Sequence, residues 1–288
     1  MLLKEIKTIF HTELDAIYGS QEVASCFTLL TDHFLGLEKF VLLLRPQWVI
    51  SKEEESILFN ALSQLKKHVP VQYIMGETEF MDLKFKVSAD VLIPRPETED
   101  LVRWILEDYR AAQHPHPKIL DIGTGSGCIA ISIARYLQGA AVSALDISND
   151  ALQIARTNAR QNDVDINFYQ ADILNDSTTT QLESTFDSIV SNPPYVRELE
   201  KKEMHQNVLG HEPGIALFVS DKDPLVFYRA IANFAQKNLV ANGSLYLEIN
   251  QYLGKEMIDL LDAYNFKDIE LKKDIFGNDR MVKGVFRG

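Results

Sequence analysis

The sequence predicts an α/β fold: a Rossmann-like parallel sheet covered by helices on both faces, preceded by a small helical domain and joined to it by a β-hairpin. Three observations carry this prediction. From Lys118 onward, short β-rich runs alternate with helical stretches; a glycine-rich loop, Asp121 to Gly127, sits at the first strand-to-helix junction; and residues 1 to about 70 repeat apolar positions at helical spacing. At 288 residues the chain is longer than most single domains, so two units are expected. Their boundaries are set at 1–75 for the helical domain, 76–97 for the hairpin linker and 98–288 for the α/β domain.

The elements follow in chain order. Ile6, Ile9, Phe10, Leu14 and Ile17, then Val23, Phe27 and Leu30, recur every three or four residues, as the buried stripe of a helix does. Ser51 followed by Lys-Glu-Glu-Glu reads as another helix start, where a hydroxyl and acidic groups meet the free amides of the first turn. Between Glu77 and Val87 apolar and polar residues alternate, which predicts a two-stranded ribbon turning near Asp82. In IPRPETE, residues 93–99, two prolines enforce an extended entry, with Glu97 or Thr98 opening the next helix. Strands are then expected at KILDI, AVSALDI, INFYQ, FDSIVS and SLYLEI, helices between them, one helix around 224–240, and closing strands at 267–273 and 280–287.

Composition narrows the function classes. Hydrophobic residues make up 46% and charged residues 24%, the balance of a globular enzyme rather than a disordered or fibrous chain. The N-terminal stretch has no signal-peptide core and no run of about 18 apolar residues occurs, so a cytoplasmic protein without a membrane partner is expected. Cys26 and Cys128 are the two cysteines, far apart and in no metal-ligand spacing, which suits a reducing compartment and predicts neither disulfide nor zinc. The seven histidines form no ligand constellation, so no metal is expected. A net charge of -12 disfavours nucleic acid as a substrate.

The loop Gly123-Thr124-Gly125-Ser126-Gly127 lets the backbone turn tightly and approach a ligand, and Asp146 ends the next strand about 20 residues on, where a carboxylate can accept from both hydroxyls of a ribose. The spacing is GxGxG rather than GxGxxG, and an acid, Asp121, precedes it. Asp121 would oppose a pyrophosphate and suits a cationic amino group or sulfonium, so S-adenosylmethionine is favoured over a nicotinamide dinucleotide. The domain is thus expected to be of the class I S-adenosylmethionine methyltransferase type. Asp172, after the third strand, is placed either to accept from an adenine amino group or to cap a helix.

Ser191-Asn192-Pro193-Pro194-Tyr195 follows the apolar run FDSIV and so ends the fourth strand at the carboxyl edge of the sheet, where open α/β folds bind ligands. Consecutive prolines supply no backbone donor, which leaves the carbonyls of Asn192 and Pro193 as fixed acceptors. Such a pocket selects an NH2 group. Tyr195 is expected to pack its ring against the substrate amide. Asn192, Pro193, Pro194 and Tyr195 are therefore the candidate catalytic residues, and no general base is required before the transfer.

The glycine loop, Asp146 and Asn-Pro-Pro-Tyr together resemble the amino-methyltransferases, among them DNA adenine-N6 and protein glutamine-N5 enzymes. The segments PVQYIMGETEFMDLKFKV, VLIPRPETEDLV, ILDIGTGSGCIAI, VSNPPYV, HEPGIAL and FYRAI, in that order, are similar to the release factor glutamine methyltransferases, the PrmC/HemK family, from about Pro70 to the end. The resemblance implies methylation of the side-chain amide nitrogen (N5) of the glutamine in the Gly-Gly-Gln motif of bacterial class 1 peptide release factors. It also implies Gly123 to Gly127 and Asp146 on the cofactor, Ile173 beside its adenine, Asn192 near its methionine end, and the helical domain docking the release factor. A monomer is expected. Arg95 and Glu97 either line the cleft or form a salt-linked hinge. The chain departs from the family in SDKDPL after HEPGIALFV and in Ile173, an aromatic in some members. The readings that compete are a DNA adenine-N6 methyltransferase and, from another class, a dinucleotide oxidoreductase or noncatalytic nucleotide-binding module.

Overall fold

The computed structural model describes residues 1–175, 179, 185–204 and 206–288, and divides into two compact units. The first holds Met1–Glu77 and the short segment up to His211. Its helices are α1 (Leu3–Tyr18), α2 (Ser20–Leu35), α3 (Val41–Leu44), α4 (Lys52–Leu65) and α5 (Val71–Met75). Most of the stripe read from the sequence is its core: Ile6, Phe10 and Leu14 of α1 are buried with Val23, Phe27 and Leu30 of α2, and Leu3 joins them, whereas Ile9 is half-buried and Ile17 is exposed; Phe10 meets Phe27 edge to face at 5.1 Å. Ser51 starts α4 as expected: its hydroxyl accepts from Glu54 N at 3.1 Å while Glu54 returns a carboxylate to Ser51 N at 2.7 Å.

The second unit, Thr78–Met204 and Glu212–Gly288, begins inside a ribbon, β1 (Glu77–Phe80) and β2 (Leu83–Lys86). Met81 and Asp82 both adopt positive φ, 50° and 58°, the two-residue turn whose twist matches that of paired strands. Next come α6 (Pro96–Ala112), β3 (Lys118–Ile122), α7 (Cys128–Tyr136), β4 (Ala141–Asp146), α8 (Asn149–Gln161), β5 (Asn167–Gln170), β6 (Phe186–Ser191) and β7 (Val196–Arg197). The helix after the prolines opens earlier than expected, at Pro96 itself, because proline lacks only an amide that has no partner in the first turn. The chain closes with α9 (Gln206–His211), α10 (Gly214–Leu217), β8 (Phe218–Val219), α11 (Val226–Asn238), β9 (Leu239–Glu248), α12 (Gly254–Ala263), β10 (Phe266–Lys273) and β11 (Asp279–Phe286). The helix α12 was not read from the sequence.

The main sheet has the order β10-β11-β9-β6-β3-β4-β5. Its strands β3, β4, β5, β6 and β9 run parallel, β11 is antiparallel to β9, and the edge strand β10 is antiparallel to β11. The chain runs outward from β3 to β5, then returns to the other side of β3 through β6. That reversal opens a crevice beyond the carboxyl ends of β3, β4 and β6. One apolar core lies on each face, around Ile119, Ile131 and Trp104 on one side and Leu120, Ile189 and Tyr228 on the other.

The ribbon belongs to this unit's packing. Phe80 and Phe85 are buried in the first core, and Asn158 of α8, fully buried, accepts from Lys86 N at 2.7 Å and donates to Lys86 O at 3.0 Å and Ser126 O at 2.9 Å. One amide thus clamps the ribbon and the glycine loop to the same helix. Removing it leaves the buried Ser126 carbonyl without this partner, at roughly 1–3 kcal/mol, and the part-buried Lys86 N–H and carbonyl without theirs at less. Asn158→Ala is expected to lower the unfolding free energy of this unit by about 2–4 kcal/mol in urea titrations; a loss under 0.5 kcal/mol would show that the clamp carries no stability.

Candidate active site

A cavity of about 490 Å³ fills the crevice, within the range of roughly 300–1,000 Å³ typical of small-molecule sites. Its wall is mostly apolar, with Ile122, Leu145, Ala171 and Ile173 on the sheet side. Of the residues singled out in the sequence, Gly123, Gly125, Asp146, Asp172, Ile173, Asn192, Pro193 and Pro194 line it. Thr124, Ser126, Gly127 and Tyr195 do not.

Strand β3 delivers the loop. Gly123 and Gly125 have φ of 74° and 54°, which glycine adopts freely, and a side chain built on either would meet nothing within 4 Å. Their backbone therefore faces open space. Gly127, at φ 84°, serves packing instead, because a Cβ there would stand 2.9 Å from the Ile131 side chain and 3.2 Å from that of Ala155. The loop is pinned to the end of β4: Gly123 N and Thr124 N donate to Leu145 O at 2.9 and 3.0 Å, and Gly125 N donates to Asp146 Oδ2 at 2.8 Å.

Asp146 holds the other strand end as well, its Oδ1 accepting from Ser148 N at 2.9 Å. Two ionised oxygens carry about four acceptor sites, so each has room for a ribose hydroxyl beside the amide it already holds. Burial raises its pKa from the ordinary carboxylate value, and the three amides of Ser148, Gly125 and Ile147 oppose that rise. Ile147, half exposed, and Ile173 flank the acid with apolar surface suited to a planar base. Asp172 also reaches the wall, and one of its oxygens accepts from Leu174 N at 2.9 Å, the geometry of a turn cap.

Asp121 differs from expectation. Side chains alternate along a strand, so with Ile122 facing the cavity Asp121 points to the opposite face, where it is fully buried. Burial pushes its carboxyl up to about 7; Thr124 donates to Oδ2 at 2.6 Å, and Oδ1 has no partner among the described residues. Asp121 therefore does not line the cavity.

Strand β6 delivers the tetrapeptide. Ser191, fully buried, donates to Ile122 O at 2.7 Å and so locks the end of β6 to the end of β3. The cavity then meets Asn192 and both prolines. Tyr195 is half-buried against the second core; its hydroxyl donates to Glu248 Oε1 at 2.9 Å and its carbonyl accepts from Asn250 Nδ2 at 3.0 Å. Asn192 Nδ2 donates to Thr98 Oγ1 at 3.2 Å. The side-chain nitrogen of Asn192 is thus engaged with a residue that does not itself line the cavity.

The remaining wall was not singled out in the sequence. It comes from Ala89–Leu92 before α6, from Pro213, Ile215 and Ala216 at α10, and from Phe227. Two of these stretches are joined by Arg95, whose guanidinium pairs with the buried Glu212 at 2.5 Å, while Glu212 Oε2 accepts from Ile93 N at 3.2 Å. Arg95 and Glu97 are not part of the wall, so the salt-linked reading fits Arg95. The departing segment SDKDPL forms a tight turn, with Asp223 N donating to Ser220 O at 3.1 Å. Only the family segments VLIPRPETEDLV, HEPGIAL and FYRAI hinted at this far wall.

Comparison with known proteins adds the family. A methyltransferase small-domain model matches residues 103–213, and the model of the PrmC N-terminal domain matches residues 13–76. The release factor glutamine methyltransferase of Flavobacterium psychrophilum is 51% identical over 288 residues, all of both chains. The chain belongs to the release factor glutamine methyltransferase family. The Bacteroides thetaiotaomicron member is 41% identical over 97% of this chain and 99% of its own. Family membership decides between the two amino-methyltransferase readings, against DNA adenine. Among solved structures, a Pyrococcus furiosus methyltransferase aligns with a TM-score of 0.53 at 15% identity, over 83% of this chain and all of its own, which shows the fold.

The glycine loop, the paired oxygens of Asp146 and the apolar flanks fit the adenosine portion of the family's methyl donor. Losing the carboxylate removes charge-assisted hydrogen bonds worth about 1.5–3 kcal/mol each. Asp146→Ala is expected to weaken S-adenosylhomocysteine binding roughly 10- to 100-fold by calorimetry; an unchanged Kd would separate Asp146 from the cofactor.

Proposed function

We propose that the chain transfers a methyl group from S-adenosylmethionine to the side-chain amide nitrogen of the glutamine in the Gly-Gly-Gln motif of a class 1 peptide release factor. The observation that carries this reading is the donor-poor rim of the cavity: Asn192 turned with its nitrogen toward Thr98, followed by two prolines without N–H groups. An NH2 group finds acceptors there, and neither proline offers a competing backbone donor.

An amide nitrogen attacks poorly because its lone pair is delocalised into the carbonyl, the same resonance that sets a rotation barrier of about 18–20 kcal/mol in the peptide bond. When bound, S-adenosylmethionine supplies an electrophilic methyl on a sulfonium. Gly123, Gly125, Asp146 and Ile173 hold it along the strand ends. Asn192 Oδ1 and the Pro193 carbonyl accept from the two substrate N–H groups and fix the nitrogen in line with the methyl. As attack loads positive charge onto nitrogen, these acceptors interact more strongly than they did in the ground state, which lowers the barrier. Pro193 and Pro194 keep the acceptors rigid. Tyr195 contributes through its tether to Glu248, which sets the path of the chain leaving the tetrapeptide. The proton departs from an acidic, cationic nitrogen after transfer, so the site needs no strong base.

The helical unit is proposed to dock the release factor. Phe40, Leu43, Leu44 and Val49 are all more than half exposed, an apolar patch uncommon on a solvent-facing surface. The enzyme is proposed to act as a monomer in the cytoplasm. Among the described residues no helix is long and apolar enough to cross a membrane.

Incubation with labelled donor and a purified class 1 release factor is expected to place label on the glutamine of the Gly-Gly-Gln peptide, read by mass spectrometry. Asn192→Ala should lower that turnover roughly 10²- to 10³-fold, the scale of one lost transition-state partner, with donor affinity within a few-fold. Label in duplex DNA alone, or full turnover by the variant, would overturn the reading.

A further inference from the structure

The orientation of the Asn192 amide is set from two distant elements. Thr98, at the third position of α6, is 3% exposed; Glu248, the last residue of β9, is 1% exposed. Thr98 Oγ1 donates to Glu248 Oε2 at 2.6 Å, and Glu248 Oε1 accepts from the Tyr195 hydroxyl at 2.9 Å. A hydroxyl carries a single hydrogen. With that hydrogen committed to a carboxylate, Thr98 can only accept from its other neighbour, Asn192, 3.2 Å away. An amide facing an acceptor must turn its NH2 toward it, which leaves its oxygen for the cavity. While Glu248 is ionised, the polarity of this hydrogen-bonded chain decides which end of Asn192 meets the substrate.

We propose that Glu248 and Thr98 are positioning residues that hold Asn192 with its oxygen toward the substrate amide, so that the cavity selects an NH2 donor instead of an acceptor. This rests on the glutamine-amide reading given above. Neither residue lines the cavity, so both act through Asn192. The local structure holds the relay rigid. Pro96 sets the first turn of α6 and Thr98 N donates to Arg95 O at 3.1 Å, while β9 is fixed beside β6 by the pairing of Leu247 with Ser191. Glu248 also ties both ends of the tetrapeptide to one carboxylate, Asn192 through Thr98 and Tyr195 directly. Without the relay the Asn192 amide can flip by 180° at little cost and offer its NH2 to a substrate NH2.

The test is a double-mutant cycle on the full-length enzyme with a purified class 1 release factor as substrate. Thr98→Val keeps the shape and removes the hydroxyl. It is expected to lower kcat roughly 10- to 100-fold, the effect of a misplaced reacting group, with KM for the donor within twofold. Thr98→Ser, which keeps the hydroxyl, should stay within about threefold of wild type, a rescue that loss of packing would not give. In the Asn192→Ala background, Thr98→Val should change kcat less than about twofold, because nothing remains to be oriented. An equal fold-loss from Thr98→Val with and without Asn192, or a Thr98→Ser variant as slow as Thr98→Val, would overturn the positioning role while leaving the substrate reading intact. Full turnover by Asn192→Ala alone would overturn both.

Discussion

The in-register parallel pairing of β3 with β4 and β6 is the constraint on which the site depends. Ile122 stands opposite Leu145 on one side and Ser191 on the other, so three strands end at one level. The glycine loop, Asp146 and Asn192 are each the continuation of one of those ends. Hydrogen bonds across the ends fix the level further: loop amides on Leu145 O and Asp146, and the Ser191 hydroxyl on Ile122 O. A slip of one residue in any pairing would turn Asp146 or Asn192 to the wrong face. Backbone geometry therefore places the proposed donor pocket and the proposed acceptor rim side by side before either ligand arrives, so on the proposed mechanism much of the orientation needed for transfer is built into the fold.

Polarity is the second element. The cavity wall is largely aliphatic, and three of its polar groups are held by bonds of their own: Asp146 and Asp172 by backbone amides, Asn192 by Thr98. In such surroundings an acceptor interacts more strongly with developing charge than it would in water, and little reorganisation is needed during reaction. A single carboxylate, Glu248, sits behind both ends of the tetrapeptide. Burial raises its pKa while Thr98, Tyr195 and Arg280 oppose that rise, so the protein itself supplies partners for the charge that orders the rim.

The parts legible in the sequence were local ones. The helical stripe of α1 and α2, the capping box at Ser51, the ribbon turning at Asp82, the glycine loop and the strand-ending tetrapeptide each announce themselves within about ten residues, because spacing and turn chemistry are short-range. Asp146 was found from its distance to the loop. Pattern could not give the direction of Asp121, since a loop signature says nothing of which side of the strand its first acid faces. Nor could it give the far wall from Ala89–Leu92, Pro213 and Phe227, or the relay from Glu248 to Thr98, residues 150 positions apart in sequence and 2.6 Å apart in space. Those depend on how β9 and α6 meet over the sheet, a tertiary fact with no local trace.

The central claim is that oxygens alone receive the substrate nitrogen. A crystal structure of the enzyme with S-adenosylhomocysteine and a peptide carrying Gly-Gly-Gln measures it directly. The account predicts the glutamine amide nitrogen within about 3.2 Å of both Asn192 Oδ1 and the Pro193 carbonyl, the ordinary reach of an N–H···O bond. A glutamine whose carbonyl oxygen occupies that place, or whose nitrogen is met by a donor, would contradict it.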